Sequence, residues 1–257
     1  MSRRSSESVV TRNESVLARL RELKGDHPFW GYRRCWAHLR YVDKLEVNKK
    51  RVYRLLKKHG LLATQTKHAV RRVPNRSKPR PDRPNQWWGI DMTKVITANG
   101  WAYIVLVLDW YTKKVVGHHC GRTATSMEWL TALDGGLNGQ FPEGVRGHQL
   151  HLMSDNGSQP TSLRFMKACS GLGIHQVFTS YNNPKGNADT ERMMRTMKEE
   201  LLWLREWRDQ YEVSAAVSSW IDKYNEGYLH SALDYKTPNQ MEETYNLTTR
   251  TLLEIAC

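Results

Sequence analysis

The sequence contains few cysteines and no closely spaced pair of them. Its four cysteines are Cys35, Cys120, Cys169 and Cys257. This spacing argues against a disulfide framework and against a zinc ribbon. Residues 118–120 read His-His-Cys, but adjacent residues of a strand point to opposite faces, so we expect a structural role for them rather than a shared metal ion.

Long hydrophobic runs are also missing. The longest apolar stretch, Trp101 to Leu108, suits a buried strand and is far too short to cross a bilayer. The first fifteen residues carry basic side chains but no apolar segment typical of a signal peptide. We therefore expect a cytoplasmic protein.

Acidic residues are scarce in the first third of the chain. Residues 1–85 hold 23 Lys and Arg against 7 Asp and Glu, a balance of +16, whereas residues 86–257 hold 16 against 19, a balance of −3. Solubility alone does not explain this segregation. It indicates a basic arm that holds a polyanion and a body that acts on it.

Three helical patterns occupy residues 1–70, which we interpret as a small all-α domain. The first places Val16, Leu17, Leu20 and Leu23 at helical spacing. The third, NKKRVYRLLKKHG, has Asn48 as a predicted N-cap and Gly60 as a predicted stop. Short basic helices in this order are typical of a helix-turn-helix whose last helix enters a major groove.

Basic side chains of this domain are the candidate DNA contacts. They are Arg33 and Arg34 in the second pattern and Lys49, Lys50, Arg51 and Arg54 in the third. Arg and Lys of a recognition helix contact phosphates. The alternative is a surface helix with solvated basic side chains, and the charge segregation favours DNA binding.

A basic, proline-rich stretch at residues 71–85 predicts an extended linker. Residues 86–245 follow as a predicted core, and residues 246–257 as a C-terminal tail. Three strand patterns open the core, with a hairpin in which Asn99 and Gly100 can take positive φ angles. Two further strands alternate with helices, so the fold class is α/β with a mixed five-stranded sheet flanked by helices.

Three acids stand out by their position in this core. Asp91 lies within the first strand, Asp155 at the tip of the fourth, and Glu191 in the first turns of the helix after the fifth. If the first and fourth strands are neighbours, the three carboxylates converge at one end of the sheet. Carboxylates at such short distances repel each other unless cations neutralise their charge. Mg²⁺ and Mn²⁺ prefer oxygen ligands of this kind. Two ions in such a cluster can activate an attacking oxygen and stabilise the leaving oxygen of a phosphodiester.

The order Asp91, Asp155, Glu191, with 35 residues between the last two, resembles the D, D, E signature of retroviral-type integrases and insertion-sequence transposases. Five ordered motifs resemble the second-frame, catalytic protein of the third insertion-sequence family: HPFWGYRRCWAHLR, WWGIDMTKV, SDNGSQ, NNPKGNADTERMMRTMKEEL and YNEGYLHSALDYKTP. The resemblance implies a ribonuclease H-like core in which the three acids ligate two Mg²⁺ or Mn²⁺ ions.

The helix that carries Glu191 supplies further candidates. At about 100° per residue, Arg195 and Lys198 lie within about 40° of Glu191, where they can grip phosphates. Alternatively, Arg195 pairs with Glu191 across one turn. The predicted apolar face of this helix consists of Met193, Met197, Leu201 and Leu204.

Other polar residues near the acids have more than one interpretation. Asp189 competes with Glu191, but the family spacing selects Glu191 and leaves Asp189 as a predicted helix cap. Asp109, at the end of the second strand, is expected to be structural or to support the ligands. Asn156, Gly157 and Gln159 either shape the loop beside Asp155 or form an ordinary turn.

The resemblance implies a DNA transposase that acts in the bacterial cytoplasm at the nucleoid. Its partners would be double-stranded DNA, as terminal inverted repeats and as target, further copies of the chain on paired ends, and an upstream-frame protein or fusion. A metal-activated water would cut the strand, and the freed 3′ hydroxyl would attack another phosphodiester. The alternatives are a non-enzymatic DNA-binding regulator of transposition and a nuclease that never joins strands.

Overall fold

The computed structural model describes residues 7–63, 79–179 and 186–256, and the chain divides into two compact units, Met1–Arg72 and Val73–Cys257. The first part of the predicted linker, residues 71–78, lies outside the described residues. Its last residues belong to the second unit, since the backbone N–H of Asn85 donates to the carboxylate of Asp109 at 2.7 Å.

The first unit contains three helices, α1 (Glu7–Asp26), α2 (Tyr32–Ala37) and α3 (Lys49–Lys58), and α2 continues as a π-helical turn over His38–Val42. As predicted, the Asn48 side chain caps α3 by accepting from the Lys50 N–H. Gly60 follows the helix at a φ of 67°, which suits glycine because it has no Cβ. One core buries three predicted apolar side chains of α1 and three of α3, namely Val16, Leu20, Leu23, Val52, Leu55 and Leu56. Leu17 of α1 is buried as well.

The second unit is built on a mixed sheet of five strands. The strands are β1 (Trp87–Thr97), β2 (Gly100–Asp109), β3 (Val115–Gly121), β4 (His151–Ser154) and β5 (His175–Phe178). Their order across the sheet is β3, β2, β1, β4, β5, with β1, β2 and β3 antiparallel and β4 and β5 parallel to β1. The predicted fold class is confirmed, although in the β1–β2 hairpin only Gly100, and not Asn99, takes a positive φ.

Helices cover both faces of the sheet. The helices α4 (Ser126–Gln140) and α5 (Leu163–Gly171) bury one face, and α6 (Ala188–Met197) and α7 (Gln210–Gly227) bury the other. The helix α4 lies close on β3, because a Cβ on Gly117 would stand 2.2 Å from a backbone carbonyl oxygen of α4. Each face therefore has its own hydrophobic core.

The C-terminal part departs from the sequence expectations in two places. A π-helical turn, Lys198–Leu202, follows α6, and Leu204 beyond it is 43% exposed, so its predicted place on an apolar face is wrong. The last helix, α8 (Pro238–Ala256), runs through residues 245 and 246. No structural boundary lies at the predicted start of the tail.

In the described part of the chain, no helix combines the length and apolar character that a membrane span needs.

Candidate active site

Two of the predicted acids lie at neighbouring parallel strands, Asp91 within β1 and Asp155 immediately after β4. The strands β1 and β4 pair with Gly89 opposite Met153, and Asp91 and Asp155 each follow two residues later. Because side chains alternate along a strand, both carboxylates leave the face on which Met153 packs against α6. The pairing of β1 with β4, which the sequence hypothesis required, therefore holds.

The helix α6 brings Glu191 to the same face. Its first turn lies directly on β1, since a Cβ on Gly89 would meet the Thr190 Oγ1 at 1.9 Å. The indole Nε1 of Trp110 donates to that Oγ1 at 3.0 Å, and the Asn187 side chain donates to the Ile90 carbonyl at 3.4 Å. Glycine at position 89 permits this close approach.

The three acids share one electrostatic environment. The pKa of Asp91 is raised to about 6: burial is the largest cause and the charges of Asp155 and Glu191 also raise it, whereas the Met92 N–H and the Lys198 ammonium lower it. Burial also raises the pKa of Glu191. These carboxylates are therefore close enough to repel each other, and Lys198 is close enough to offset part of the repulsion.

The donor set fits a hard divalent cation, because it consists of carboxylate oxygens whose mutual repulsion a cation would neutralise. The carboxylates are not drawn together: within residues 7–63, 79–179 and 186–256, no three His, Cys, Asp or Glu side chains form a group compact enough to hold an ion. The ligands would have to close on the metal.

The loop after Asp155 is a turn tied to the end of β5. The Gly157 N–H donates to the Asp155 carboxylate at 3.0 Å, and the Asn156 side chain donates to the Thr179 carbonyl at 2.6 Å. The Gln159 side chain accepts from the Ser158 hydroxyl at 3.3 Å. The two interpretations therefore coincide, because an ordinary turn shapes the loop and orients the Asp155 carboxylate.

Asp189 and Asp109 are the other two acids near the site, and each has a partner that is distant in the sequence. Asp189 lies in the first turn of α6, and its carboxylate lies 3.3 Å from the Lys113 ammonium. The N-cap residue is Asn187, which makes no side-chain cap. Asp109 is buried and accepts from the backbone N–H groups of Asn85 and Thr112. Burial raises the pKa of Asp109, and its hydrogen bonds join Asn85 to the turn that follows β2.

The two predicted phosphate contacts on α6 differ in their surroundings. Arg195 is 73% exposed, and its guanidinium lies 2.8 Å from the Glu199 carboxylate, one turn later in the chain. The alternative from the sequence was a pair with Glu191, one turn earlier. Lys198 is half-buried and its charge acts on Asp91. The structure therefore places Lys198 beside the acids and Arg195 farther out on the surface of the helix.

In the first unit, three of the six basic candidates line one groove. Lys49, Lys50 and Arg54 line it together with Tyr32 and Tyr53. A basic groove with two aromatic side chains suits the phosphates and bases of nucleic acid.

The other basic candidates of this unit contact the protein. Arg51 donates to the Asn13 side chain at 2.9 Å, which ties α3 to α1. The guanidinium groups of Arg33 and Arg34 lie over the rings of Tyr32 and Trp30.

Sequence reasoning missed the residues that fix α6 in place. Trp110 and Lys113 lie in the turn between β2 and β3, far along the chain from Glu191, and no motif linked them to it. The adjacent sequence Asp-Trp at 109–110 and the two lysines at 113–114 were the only available signal. Their contacts with Thr190 and Asp189 come from tertiary packing.

Comparison with family models gives matches over both units. Two models described as integrase core domains match residues 81–184 and 172–238, and a model described as an HTH-like domain matches residues 11–69. The two integrase-core matches together cover more than half of the chain. The integrase-core matches cover the five-stranded sheet of the second unit, and the HTH-like match covers the helices of the first unit.

Curated relatives are insertion-sequence transposases. The chain is 29% identical over 231 residues to a putative transposase for IS986/IS6110 of Mycobacterium tuberculosis, covering 84% of this chain and 82% of that protein. It is 28% identical over 233 residues to the IS629 transposase of Shigella sonnei, covering 86% and 76%. The predicted resemblance is confirmed.

A solved structure shares the fold. A chain of the simian T-cell lymphotropic virus intasome, solved in complex with the PP2A regulatory subunit B56 gamma, matches with a TM-score of 0.51 and 18% identity. The match covers 87% of this chain and 74% of the viral one.

Proposed function

This chain belongs to the family of proteins with an integrase core domain, and from that premise we propose that it is a DNA transposase that cuts strands at insertion-sequence ends and joins them to a target. The reaction class is polynucleotidyl transfer: hydrolysis of one phosphodiester, then transesterification by the freed 3′ hydroxyl. Asp91, Asp155 and Glu191 are the proposed catalytic residues.

One observation carries the proposal. Asp91 is mostly buried and lies close to the charges of Asp155 and Glu191, and these causes together raise its pKa to about 6. Holding the partly buried Asp91 carboxylate beside two further carboxylates costs stability, and a fold retains such a group where its function requires it. The transposase relatives make phosphodiester chemistry the function that suits this group.

Asp91, Asp155 and Glu191 would hold one or two Mg²⁺ or Mn²⁺ ions, which when bound supply Lewis-acid activation of the attacking oxygen and stabilisation of the leaving oxygen. The protein supplies the rest. The turn at Gly157 orients the Asp155 carboxylate, and Lys198 places a positive charge where a scissile phosphate would lie. Arg195 extends this basic surface along the helix.

The proposed partners follow from the same chemistry. The groove of the first unit, lined by Lys49, Lys50 and Arg54, would hold double-stranded DNA of a terminal inverted repeat. Target DNA would reach the carboxylates of the second unit. Cutting and joining two ends together requires more than one copy of the chain, and an upstream-frame protein or fusion would complete the recognition.

The test is Mg²⁺- or Mn²⁺-dependent cleavage and joining of a labelled duplex with the terminal sequence of the element that encodes the chain. We expect wild type to cut and join, and Glu191→Gln to bind the duplex but do neither. Asp134→Asn, which removes an exposed carboxylate of α4, is the matched control and should retain activity.

Two other outcomes would contradict the proposal. If wild type and Glu191→Gln bind equally and neither reacts, even with the upstream protein supplied, the chain is a DNA-binding regulator. If wild type cuts but never joins, it is a nuclease.

A further inference from the structure

We propose that Trp110 and Lys113 are positioning residues for Glu191, and that they set how tightly the carboxylate group binds a divalent cation. The inference rests on the proposed function, because it assigns a task to residues around the same acids. Neither residue would touch the metal or the DNA. They act through Thr190 and Asp189, the two residues immediately before Glu191.

The first contact is a buried hydrogen bond. The Trp110 Nε1 donates to the Thr190 Oγ1 at 3.0 Å, and Thr190 has no exposed surface in the described structure. A donor and an acceptor buried together lose free energy when separated, because water cannot replace either partner. This bond fixes the rotation of the first turn of α6 about its axis.

The second contact is an ion pair on the adjacent residue. The Lys113 ammonium lies 3.3 Å from the Asp189 carboxylate, and both side chains are about one-fifth exposed. Lys113 also donates to the Trp110 carbonyl at 2.5 Å. Partial burial makes such a pair stronger than one in open solvent. It joins the turn to α6 at a point that the hydrogen bond does not reach.

The turn that carries both residues is itself rigid. The buried Asp109 carboxylate accepts from the N–H and the hydroxyl of Thr112 at 2.7 and 2.8 Å, and the Tyr224 hydroxyl of α7 donates to the Lys113 carbonyl at 3.1 Å. An anchor that is held by both β2 and α7 can transmit position to α6.

The sheet fixes the remaining direction. A Cβ on Gly89 would lie 1.9 Å from the Thr190 Oγ1 and 2.5 Å from the Trp110 Nε1, so α6 has no room to move toward β1. The hydrogen bond and the ion pair prevent movement away from it. The backbone of Glu191 is thereby held near Asp91, two residues beyond Gly89 on β1, so that only the carboxylate side chains have to close on a metal. Ligands on a preorganised backbone bind a metal more tightly than ligands on a mobile one.

The test measures Mn²⁺ binding to the full chain from the free-Mn²⁺ signal in electron paramagnetic resonance. Lys113→Met removes the charge while nearly keeping the length of the side chain, and Trp110→Phe removes the donor while keeping a ring. We expect each to weaken Mn²⁺ binding about tenfold, and to raise the Mn²⁺ concentration that half-saturates cleavage by a similar factor.

Lys114→Met is the matched control. Lys114 lies in the same turn but pairs with Glu242 of α8 at 2.6 Å, away from α6. This variant should bind Mn²⁺ within twofold of wild type. Retained cooperative thermal unfolding of each variant shows that the fold is intact.

The exchange Lys113→Asp with Asp189→Lys separates positioning from ligation. If the ion pair positions α6, the double variant recovers most of the Mn²⁺ affinity that Lys113→Met loses. If Asp189 were itself a ligand, Asp189→Asn would weaken binding, Lys113→Met would not, and the exchange would not restore it. That pattern overturns the inference.

Failure of the inference differs from failure of the proposed function. Wild-type affinity in Lys113→Met and Trp110→Phe, with weakened binding in Glu191→Gln, overturns the inference and leaves the proposed function standing. Absence of Mn²⁺ binding by wild type, or equal binding by Glu191→Gln, overturns the metal site and the positioning role together.

Discussion

Replacing Asp91 by Asn should stabilise the metal-free protein, and the gain should depend on pH. The carboxylate is mostly buried, and its pKa rises from 3.8 to about 6 because of that burial and of the charges of Asp155 and Glu191. Asn has nearly the same shape and no charge. Its side-chain oxygen can still accept from the Met92 N–H, which donates to Asp91 at 2.8 Å.

The sign and the size follow from proton linkage. An acid whose pKa is higher in the folded state binds its proton more tightly there, so its contribution to stability is present at low pH and is lost as pH rises from about 4 through about 6. The pKa differs by about 2 units between the unfolded and folded states, and each unit corresponds to about 1.4 kcal/mol, so the free energy of unfolding changes by about 3 kcal/mol in all. Above pH 6, the ionised Asp91 therefore lowers the free energy of unfolding by about that amount relative to Asn.

The assay is urea unfolding in the presence of a chelator at pH 4.5 and pH 7.5. The stability difference between Asp91→Asn and wild type should be about 2 kcal/mol larger at pH 7.5 than at pH 4.5, because pH 4.5 lies above the unfolded pKa of 3.8 and about 1 kcal/mol of the effect is already present there. Asp134→Asn, on the exposed face of α4, should show no such change. A difference for Asp91→Asn that is the same at both pH values, or larger at pH 4.5, would refute the reasoning.

Three further predictions concern packing and capping. Gly89→Ala should reduce strand cleavage about 100-fold, because the new Cβ would lie 1.9 Å from the Thr190 Oγ1 and displace the helix that carries Glu191. Gly139→Ala, with open space around its Cβ, is the control. Wild-type activity in Gly89→Ala would contradict this prediction. Gly117→Ala should lower the free energy of unfolding in urea by about 3 kcal/mol, because its Cβ meets rigid backbone at 2.2 Å, and an unchanged midpoint would count against it. Asp209→Ala should cost about 1 kcal/mol in the same assay, because the side chain caps two N–H groups of α7; an Asn variant that loses as much would show that capping is not the cause.

The sequence by itself determined the secondary structure and the ends of strands where acids stand. The strand pattern around Asp91 and the apolar run before Asp155 were enough to place one acid within the first strand and the other at the tip of the fourth. That these two strands are neighbours was a condition that the sequence did not settle. The cap at Asn48 and the stop at Gly60 were readable because capping depends on the residue and its immediate neighbours. The spacing to Glu191 identified the third acid through the family resemblance.

Tertiary structure alone decided which side chains those acids and their neighbours meet. Periodicity predicts the faces of one element, but the pairing of Lys113 with Asp189, or of Arg51 with Asn13, joins residues far apart in the chain. Asp189 was predicted as a cap because local sequence offers that partner, and only the tertiary structure brings the Lys113 ammonium of the β2–β3 turn to its carboxylate. The raised pKa of Asp91 likewise exists only because packing buries it beside two other carboxylates, which no local pattern encodes.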